Sequence, residues 1–226
     1  MEGIGMINIV HNMDCNIFMR DKPDKFYDLA IVDPPYGINV NMNCGRRKHE
    51  DNFFHKKSWD KKPPDKEYFD ELFRVSKNQI IWGANNFSKY LPFSNGWIVW
   101  DKEITGEVDF SICELAYTNF LNHIVKYSYR IQGNVKKEGK PIHPNQKPIA
   151  LYKWLLKNYA KPGQTIFDSH VGSGSIRIAC HDMGFDFEGC ELDADYWQAQ
   201  EERYKIRVAQ PEIFEKKEIF EQGNLI

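Results

Sequence analysis

The segment Ala30-Ile31-Val32-Asp33-Pro34-Pro35-Tyr36-Gly37 is an apolar run that stops on a carboxylate, two prolines and an aromatic ring. Neither proline donates a backbone hydrogen bond and each fixes its own φ, so Asp33 to Tyr36 make a stiff bracket with free carbonyl oxygens. A carboxylate beside a carbonyl accepts both hydrogens of an exocyclic amine, while a tyrosine stacks on the ring that bears it. The chemistry that fits is capture of a planar, amine-bearing ring. D-P-P alone would equally describe a strand end with a proline turn; the apolar strand before it and the tyrosine after it set this segment apart.

A second segment, Thr165-Ile166-Phe167-Asp168-Ser169-His170-Val171-Gly172-Ser173-Gly174-Ser175, reads as a strand, a glycine turn and a helix start. The glycines let the backbone approach a ligand closely, and the helix start offers unpaired N–H groups. G-x-G also opens a dinucleotide fingerprint, but Arg177 stands where the third glycine would be. Glu191 ends the next candidate strand, 17 residues after Gly174, where a carboxylate accepts hydrogen bonds from ribose hydroxyls. Strand, turn, helix, strand and acid together describe a nucleoside-cofactor site.

Such groups need a sheet whose strands end side by side, because ligands in open α/β sheets bind beyond the carboxyl ends. Candidate strands are 7–10, 29–32, 79–82, 97–100, 114–118, 165–167 and 187–191, and the seven fit one twisted sheet. Asp65 caps a helix with Tyr68, Phe69, Leu72 and Phe73 on one face; 149–160, 175–183 (stopped by Gly184) and 194–209 (before Pro211) are further amphipathic helices. With 226 residues, 42% hydrophobic, the chain reads as one α/β domain over 1–226.

The net charge of −2 hides an asymmetry. Residues 44–66 hold eight Lys/Arg against four Asp/Glu, residues 122–147 six against one, and residues 186–226 five against eleven. A basic insert at about 39–66, a basic loop at about 122–147 and an acidic tail at about 211–226 are therefore expected. The basic segments read either as solvated loops or as a polyanion-binding face. On the second reading Arg46, Arg47, Lys48, Lys56 and Lys57 contact phosphates and Trp59 stacks on a base. The five cysteines form no C-x-x-C pair and the seven histidines no H-E-x-x-H spacing, so neither a disulfide framework nor a metal site is expected. No run approaches the roughly 18–20 apolar residues of a membrane span, and Met1 to Asp14 lacks a signal-peptide pattern, so a cytoplasmic protein is expected.

Asp33-Pro34-Pro35-Tyr36 resembles the catalytic motif of amino-group methyltransferases acting on DNA, which methylate adenine N6 or cytosine N4. D-S-H-V-G-S-G-S at 168–175 is similar to that family's D-P-F-x-G-S-G-T, with Ser169 and His170 departing from it. His143-Pro144-Asn145-Gln146-Lys147-Pro148 resembles its H-P-x-Q-K-P segment, and Asn12-Met13-Asp14-Cys15 the acidic segment that reads the cofactor's adenine. The D-P-P-Y strand precedes the glycine turn by 139 residues, the circularly permuted order of the β class. The likeness runs from about Asn8 to Ala209.

The resemblance implies a three-layer Rossmann-like methyltransferase fold with a mostly parallel seven-stranded sheet and a C-terminal-side antiparallel hairpin strand. It implies S-adenosylmethionine as cofactor, S-adenosylhomocysteine as product, and Asp33, Pro34, Pro35 and Tyr36 as catalytic residues. Asp14, Cys15, Lys147, Asp168, His170, Gly172, Ser173, Gly174, Ser175, Glu191 and Leu192 become cofactor residues, with Lys147 at the methionine carboxylate. On residue type alone, a helix-capping Asp14 and a solvated Lys147 stay open. Asn85 and Glu114 are candidates for the base pocket. The implied reaction is base flipping followed by in-line methyl transfer to adenine N6 in DNA, double- or single-stranded. Cytosine N4 and RNA remain alternative substrates, and a catalytically silent nucleic-acid binder or a nicotinamide oxidoreductase alternative classes. Only about two dozen residues, Phe120 to His143, occupy the usual place of a recognition region, so either modest sequence selectivity or selectivity resting on the basic insert Asn39 to Lys66 is expected. A phage or mobile-element origin, a partner restriction endonuclease, and a monomer or homodimer complete the expectations.

Overall fold

A computed structural model describes residues 6–37, 62–106, 108, 111–130, 138 and 141–210. Five α-helices and eight strands alternate along it: β1 (Asn8–His11), α1 (Cys15–Arg20), β2 (Tyr27–Val32), α2 (Lys66–Val75), β3 (Ser76–Trp82), β4 (Trp97–Asp101), β5 (Cys113–Thr118), β6 (Ile124–Ser128), α3 (Ile149–Tyr159), β7 (Thr165–Asp168), α4 (Ser175–Met183), β8 (Asp186–Cys190) and α5 (Ala194–Ala209). The strands form one sheet in the order β1-β8-β7-β2-β3-β5-β4-β6. All run parallel except β5, which is antiparallel to both its neighbours, β3 and β4.

All seven expected strands are present, and an eighth joins them. β6 falls inside the segment read as a basic loop and pairs in parallel with β4 at the sheet edge. Its signal is an alternation in which Val125 and Tyr127 face inward while Ile124, Lys126 and Ser128 are exposed. Exposed lysine on an edge strand masks that pattern. The antiparallel strand, expected on the C-terminal side, is β5, set inside the sheet and joined to β4 as a hairpin. A helix not foreseen, α1, is short and capped by Asp14, whose Oδ1 accepts from the backbone N–H groups of Asn16 and Ile17.

β2 lies at the centre and is buried on both faces, as parallel strands covered by helices are. Leu29 and Ile31 face a core shared with Leu151, Leu155 and Leu156 of α3 and Ile176 and Ala179 of α4. Ala30 and Val32 face the opposite core, with Phe18 and Met19 of α1 and Tyr68, Phe69 and Leu72 of α2. The sheet is thus the middle of three layers. Among the described residues no helix is long and apolar enough to cross a membrane.

The direction of the strands positions the site. The parallel strands β1, β2, β3, β7 and β8 deliver Asp14, Asp33, Gly83, Ser169 and Glu191 just past their carboxyl ends, along one edge. Because β5 runs the other way, its first residues, Cys113 and Glu114, reach that same edge, with Glu114 opposite Trp100 of β4.

Candidate active site

At the end of β2 the Tyr36 hydroxyl donates to Asp33 Oδ1 at 2.6 Å, so the bracket is closed on itself. The Tyr36 ring packs on the backbone of Gly83, just past the end of β3. Gly83 has φ +67°, a left-handed conformation that favours glycine, and carries no Cβ to displace the ring. Phe87 meets the same ring edge-on with centroids 6.0 Å apart.

Lys147, with 4% of its side chain exposed, sends Nζ into this bracket. It donates to Asp33 Oδ2 and lies 3.1 Å from Glu114 Oε2 and 3.5 Å from the Tyr36 hydroxyl. Glu114 Oε1 is held in turn by Lys102 Nζ at 2.8 Å. Burial acts to raise the Glu114 carboxyl, but Lys147 and Lys102 outweigh it and hold it at about 2. Asp33, which has one lysine partner, is pushed above the usual carboxylate value by burial, with the Glu114 charge adding to it and Lys147 opposing. Lys147, expected at the methionine carboxylate of the cofactor, thus stands between the two carboxylates of the protein and also lines the adjoining cavity.

Beside the bracket opens a cavity of about 560 Å³. Asp14, Cys15, Asp33, Pro35, Lys147, His170, Gly172, Ser173, Glu191 and Leu192 all line it, so most of the residues singled out from sequence meet at one place. Pro34 and Tyr36 line a smaller recess of about 20 Å³ next to it, together with Asp33, Pro35, His143 and Asn145. His143 and Asn145 belong to both spaces and mark their junction.

The glycine turn forms the cavity floor. Gly172 and Gly174 take φ +54° and +72°, and α4 begins at Ser175 with Gly174 as its cap residue and no side-chain cap. Gly174, Ser175 and Asp168 lie beneath that floor rather than in it. Asp168, 1% exposed, accepts from the His170 backbone N–H at 3.0 Å, and burial pushes its carboxyl well up. Glu191 fixes the turn by accepting from the Gly172 N–H at 2.8 Å and the Asp193 N–H at 2.9 Å. The departure at Ser169-His170 builds a polar chain: Tyr68 OH lies 2.7 Å from Ser169 Oγ, and Ser169 Oγ 2.9 Å from His170 Nδ1. His170 Nε2 is 3.9 Å from Cys15 Sγ. Burial keeps His170 neutral, at about 4, and pushes the Cys15 thiol up to about 12, so neither is charged at neutral pH.

Several residues of the site were not foreseen. Arg203 of α5 donates to the Ser173 carbonyl at 2.7 Å and to Ser175 Oγ at 2.9 Å, clamping the turn from outside the cavity. Its other nitrogen meets Glu138 at 3.3 Å, and Glu138 caps α3 by accepting from the Ile149 N–H at 2.9 Å. Tyr152 lines the cavity from α3, where helical spacing marks it only as core. Lys102 carried no pattern of its own, Gly83 lies in the segment Ile80 to Phe87 whose resemblance to the family pointed to Asn85, and Arg203 sits on the polar side of an amphipathic helix. Arg177 is explained by structure alone: it binds Asn8 and Gln200 and stacks on Tyr204, tying β1, α4 and α5 together. Of the two weaker candidates, Glu114 joins the site, whereas Asn85 is exposed and lines neither space. Arg46, Arg47, Lys48, Lys56, Lys57 and Trp59, and the acidic tail at 211–226, lie outside the described residues. Among the described residues no cluster of His, Cys, Asp and Glu could hold a metal ion.

The chain is similar in sequence and in fold to known proteins. The family described as DNA methylase matches residues 93–202. The chain is 24% identical over 244 residues to the type II methyltransferase M1.MboII of Moraxella bovis, covering 84% of this chain and 94% of that one. It is 23% identical to the type II methyltransferase M.HpaI of Haemophilus parainfluenzae, covering 82% and 70% of the two chains. Among solved structures, the M1.HpyAVI–SAM complex superposes with a TM-score of 0.56 at 16% identity, covering 86% of this chain and 98% of that one. PvuII DNA methyltransferase, cytosine-N4-specific by its description, gives 0.59 at 12% identity, covering 92% and 88%.

Proposed function

We propose that the chain is a DNA methylase of the N6/N4 amino type, the family to which its residues 93–202 are similar, and that it methylates the N6 amine of adenine in DNA, using S-adenosylmethionine. The observation that carries the reading is the Asp33–Tyr36 bracket opening directly onto the cavity of about 560 Å³. That volume lies within the usual range of small-molecule sites, roughly 300–1,000 Å³.

The residues present suit the cofactor. Glu191 would accept from its ribose hydroxyls, Asp14 from its adenine amine, and the turn at 172–175 would let its backbone close on the methionine portion. When bound, the cofactor supplies an electrophilic methyl group on a sulfonium.

The substrate amine lies inside the base stack in a duplex, so the nucleotide must be extruded, at a cost of a few kcal/mol, to reach Asp33. Stacking on Tyr36, backed by Gly83 and Phe87, offsets part of that cost. Asp33 and the Pro34 carbonyl accept the two amine hydrogens and draw the nitrogen toward the pyramidal form that attacks in line. No thiolate is needed, in keeping with a Cys15 held as a thiol. The basic insert at 39–66 and the basic segment at 122–147, of which 124–128 is strand β6, would track the phosphates, within a single domain over 1–226 in the cytoplasm.

Adenine is favoured because D-P-P-Y resembles the adenine enzymes, S-P-P-Y being commoner for cytosine N4. The second reading, cytosine N4, is kept because PvuII methyltransferase shares the fold. The test is methyl transfer from labelled cofactor to unmethylated duplex DNA, single-stranded DNA and RNA in parallel, with products digested to nucleosides and weighed. N6-methyldeoxyadenosine is the expected product; N4-methylcytosine or methylated RNA would replace the substrate assignment, and no transfer at all would refute the activity.

A further inference from the structure

Both oxygens of Asp33 are already engaged, Oδ1 by the Tyr36 hydroxyl and Oδ2 by Lys147. Oδ2 keeps a second lone pair, but an ammonium on it draws off the negative charge that an incoming amine needs, so Asp33 accepts the amine best once Lys147 moves off Oδ2. An ammonium with 4% of its side chain exposed cannot simply be stripped of its partner, because an uncompensated buried charge is strongly unfavourable. Glu114 offers the alternative. Its Oε2 already lies 3.1 Å from the same Nζ, and Lys102 holds its other oxygen at 2.8 Å, so it is clamped from behind with one oxygen turned toward Lys147. Nζ also lies 5.9 Å from the ring centroid of Tyr36 and 5.7 Å from that of Trp82, so a short move toward Glu114 keeps it between cation-attracting walls.

We infer that Glu114, clamped by Lys102, is a positioning residue that takes over Lys147 as the substrate amine docks on Asp33. The exchange is balanced: Asp33 loses one hydrogen bond from Lys147 and gains one from the amine, and two carboxylates and two ammonium groups are present before and after. The inference rests on the amino-methyl-transfer reading above. The titratable groups facing Asp33 are Tyr36 from its own loop, Tyr68 from α2, Glu114 from β5, Lys147 before α3, Tyr152 from α3 and Asp168 from β7, with Lys102 after β4 acting through Glu114. Of these, Glu114 acts to raise the Asp33 carboxyl, so removing its charge lowers it.

The experiment compares the full-length wild type with Glu114→Gln in methyl transfer across pH, alongside S-adenosylhomocysteine affinity and melting temperature. The expected result is a kcat lower by about 10- to 100-fold, the scale of a lost hydrogen bond to a charged group, with cofactor affinity unchanged and the acid limb of kcat/KM moved to lower pH. Lys102→Met, which unclamps Glu114, gives a smaller loss of the same kind. Two results overturn the inference while the wild type is active: wild-type kcat and acid limb in Glu114→Gln, or a loss of kcat, affinity and melting temperature together with no movement of the limb. A wild type inert toward every nucleic acid overturns the functional reading, and this inference with it.

Discussion

A Cβ placed on Gly83 would stand 2.1 Å from Tyr36 Cε1, so the end of β3 decides where the ring of the D-P-P-Y bracket can lie. Gly83→Ala must therefore push Tyr36 out of line as well as strain a left-handed backbone, at about 1–2 kcal/mol for the strain alone. Turnover should fall at least about 10-fold with cofactor binding retained. Steady-state kinetics beside calorimetric titration with S-adenosylhomocysteine checks it; an unimpaired kcat would mean that the ring position is irrelevant to the chemistry.

Asp33→Ala should cut turnover by more than about 100-fold and leave cofactor affinity intact, because the carboxylate acts on the amine and not on the cofactor. An active variant would remove Asp33 from the mechanism.

In the wild type, the acid limb of kcat/KM should fall above the ordinary aspartate value of 3.8, since burial, aided by the Glu114 charge, raises Asp33 against the pull of Lys147. Activity is lost as pH falls through that raised value, because the protonated acid is the poorer acceptor. A limb at or below the ordinary value would contradict the buried, shared-lysine arrangement.

His170 is held neutral, its value lowered from 6.5 to about 4 by burial. The unfolded chain then binds the extra proton first, so stability is full above about pH 6.5 and declines as pH falls toward 4, by a few kcal/mol at most. Denaturant melts at pH 7 and pH 5 should show a smaller decline in His170→Gln than in the wild type. Equal declines would assign the acid sensitivity elsewhere.

Arg203→Ala removes two hydrogen bonds from the glycine turn without touching Asp33 or Tyr36. Cofactor affinity should weaken by roughly 10-fold, about the worth of a charge-assisted hydrogen bond, while kcat at saturating cofactor stays near wild type. Unchanged binding would show that Glu191 alone holds the turn.

The pieces legible in the sequence are those that local chain chemistry dictates. Asp33-Pro34-Pro35-Tyr36 is contiguous, its prolines fix their own geometry, and the apolar run before it can only be a buried strand. The glycine turn, the Asp65 cap and the continuous apolar run of β2 are equally local, and each stands where the sequence puts it. β6 escaped because an edge strand buries one face and carries lysine on the other, so it reads as a basic loop. Asp14, read as a cofactor contact with a helix cap as the alternative, caps α1 and lines the cavity as well.

What only the tertiary structure decided is which charges meet. Lys147 and Asp33 are 114 residues apart, and nothing in either segment names the other as partner. Glu114 joins them because β5 alone runs antiparallel, which carries its first residues to the edge where its parallel neighbours end. Strand direction is a property of the assembled sheet, set by how the β4–β5 hairpin packs between β3 and β6. The sequence by itself therefore marked the D-P-P-Y bracket and the glycine turn, and the fold decided that Lys147 and Glu114 stand at Asp33.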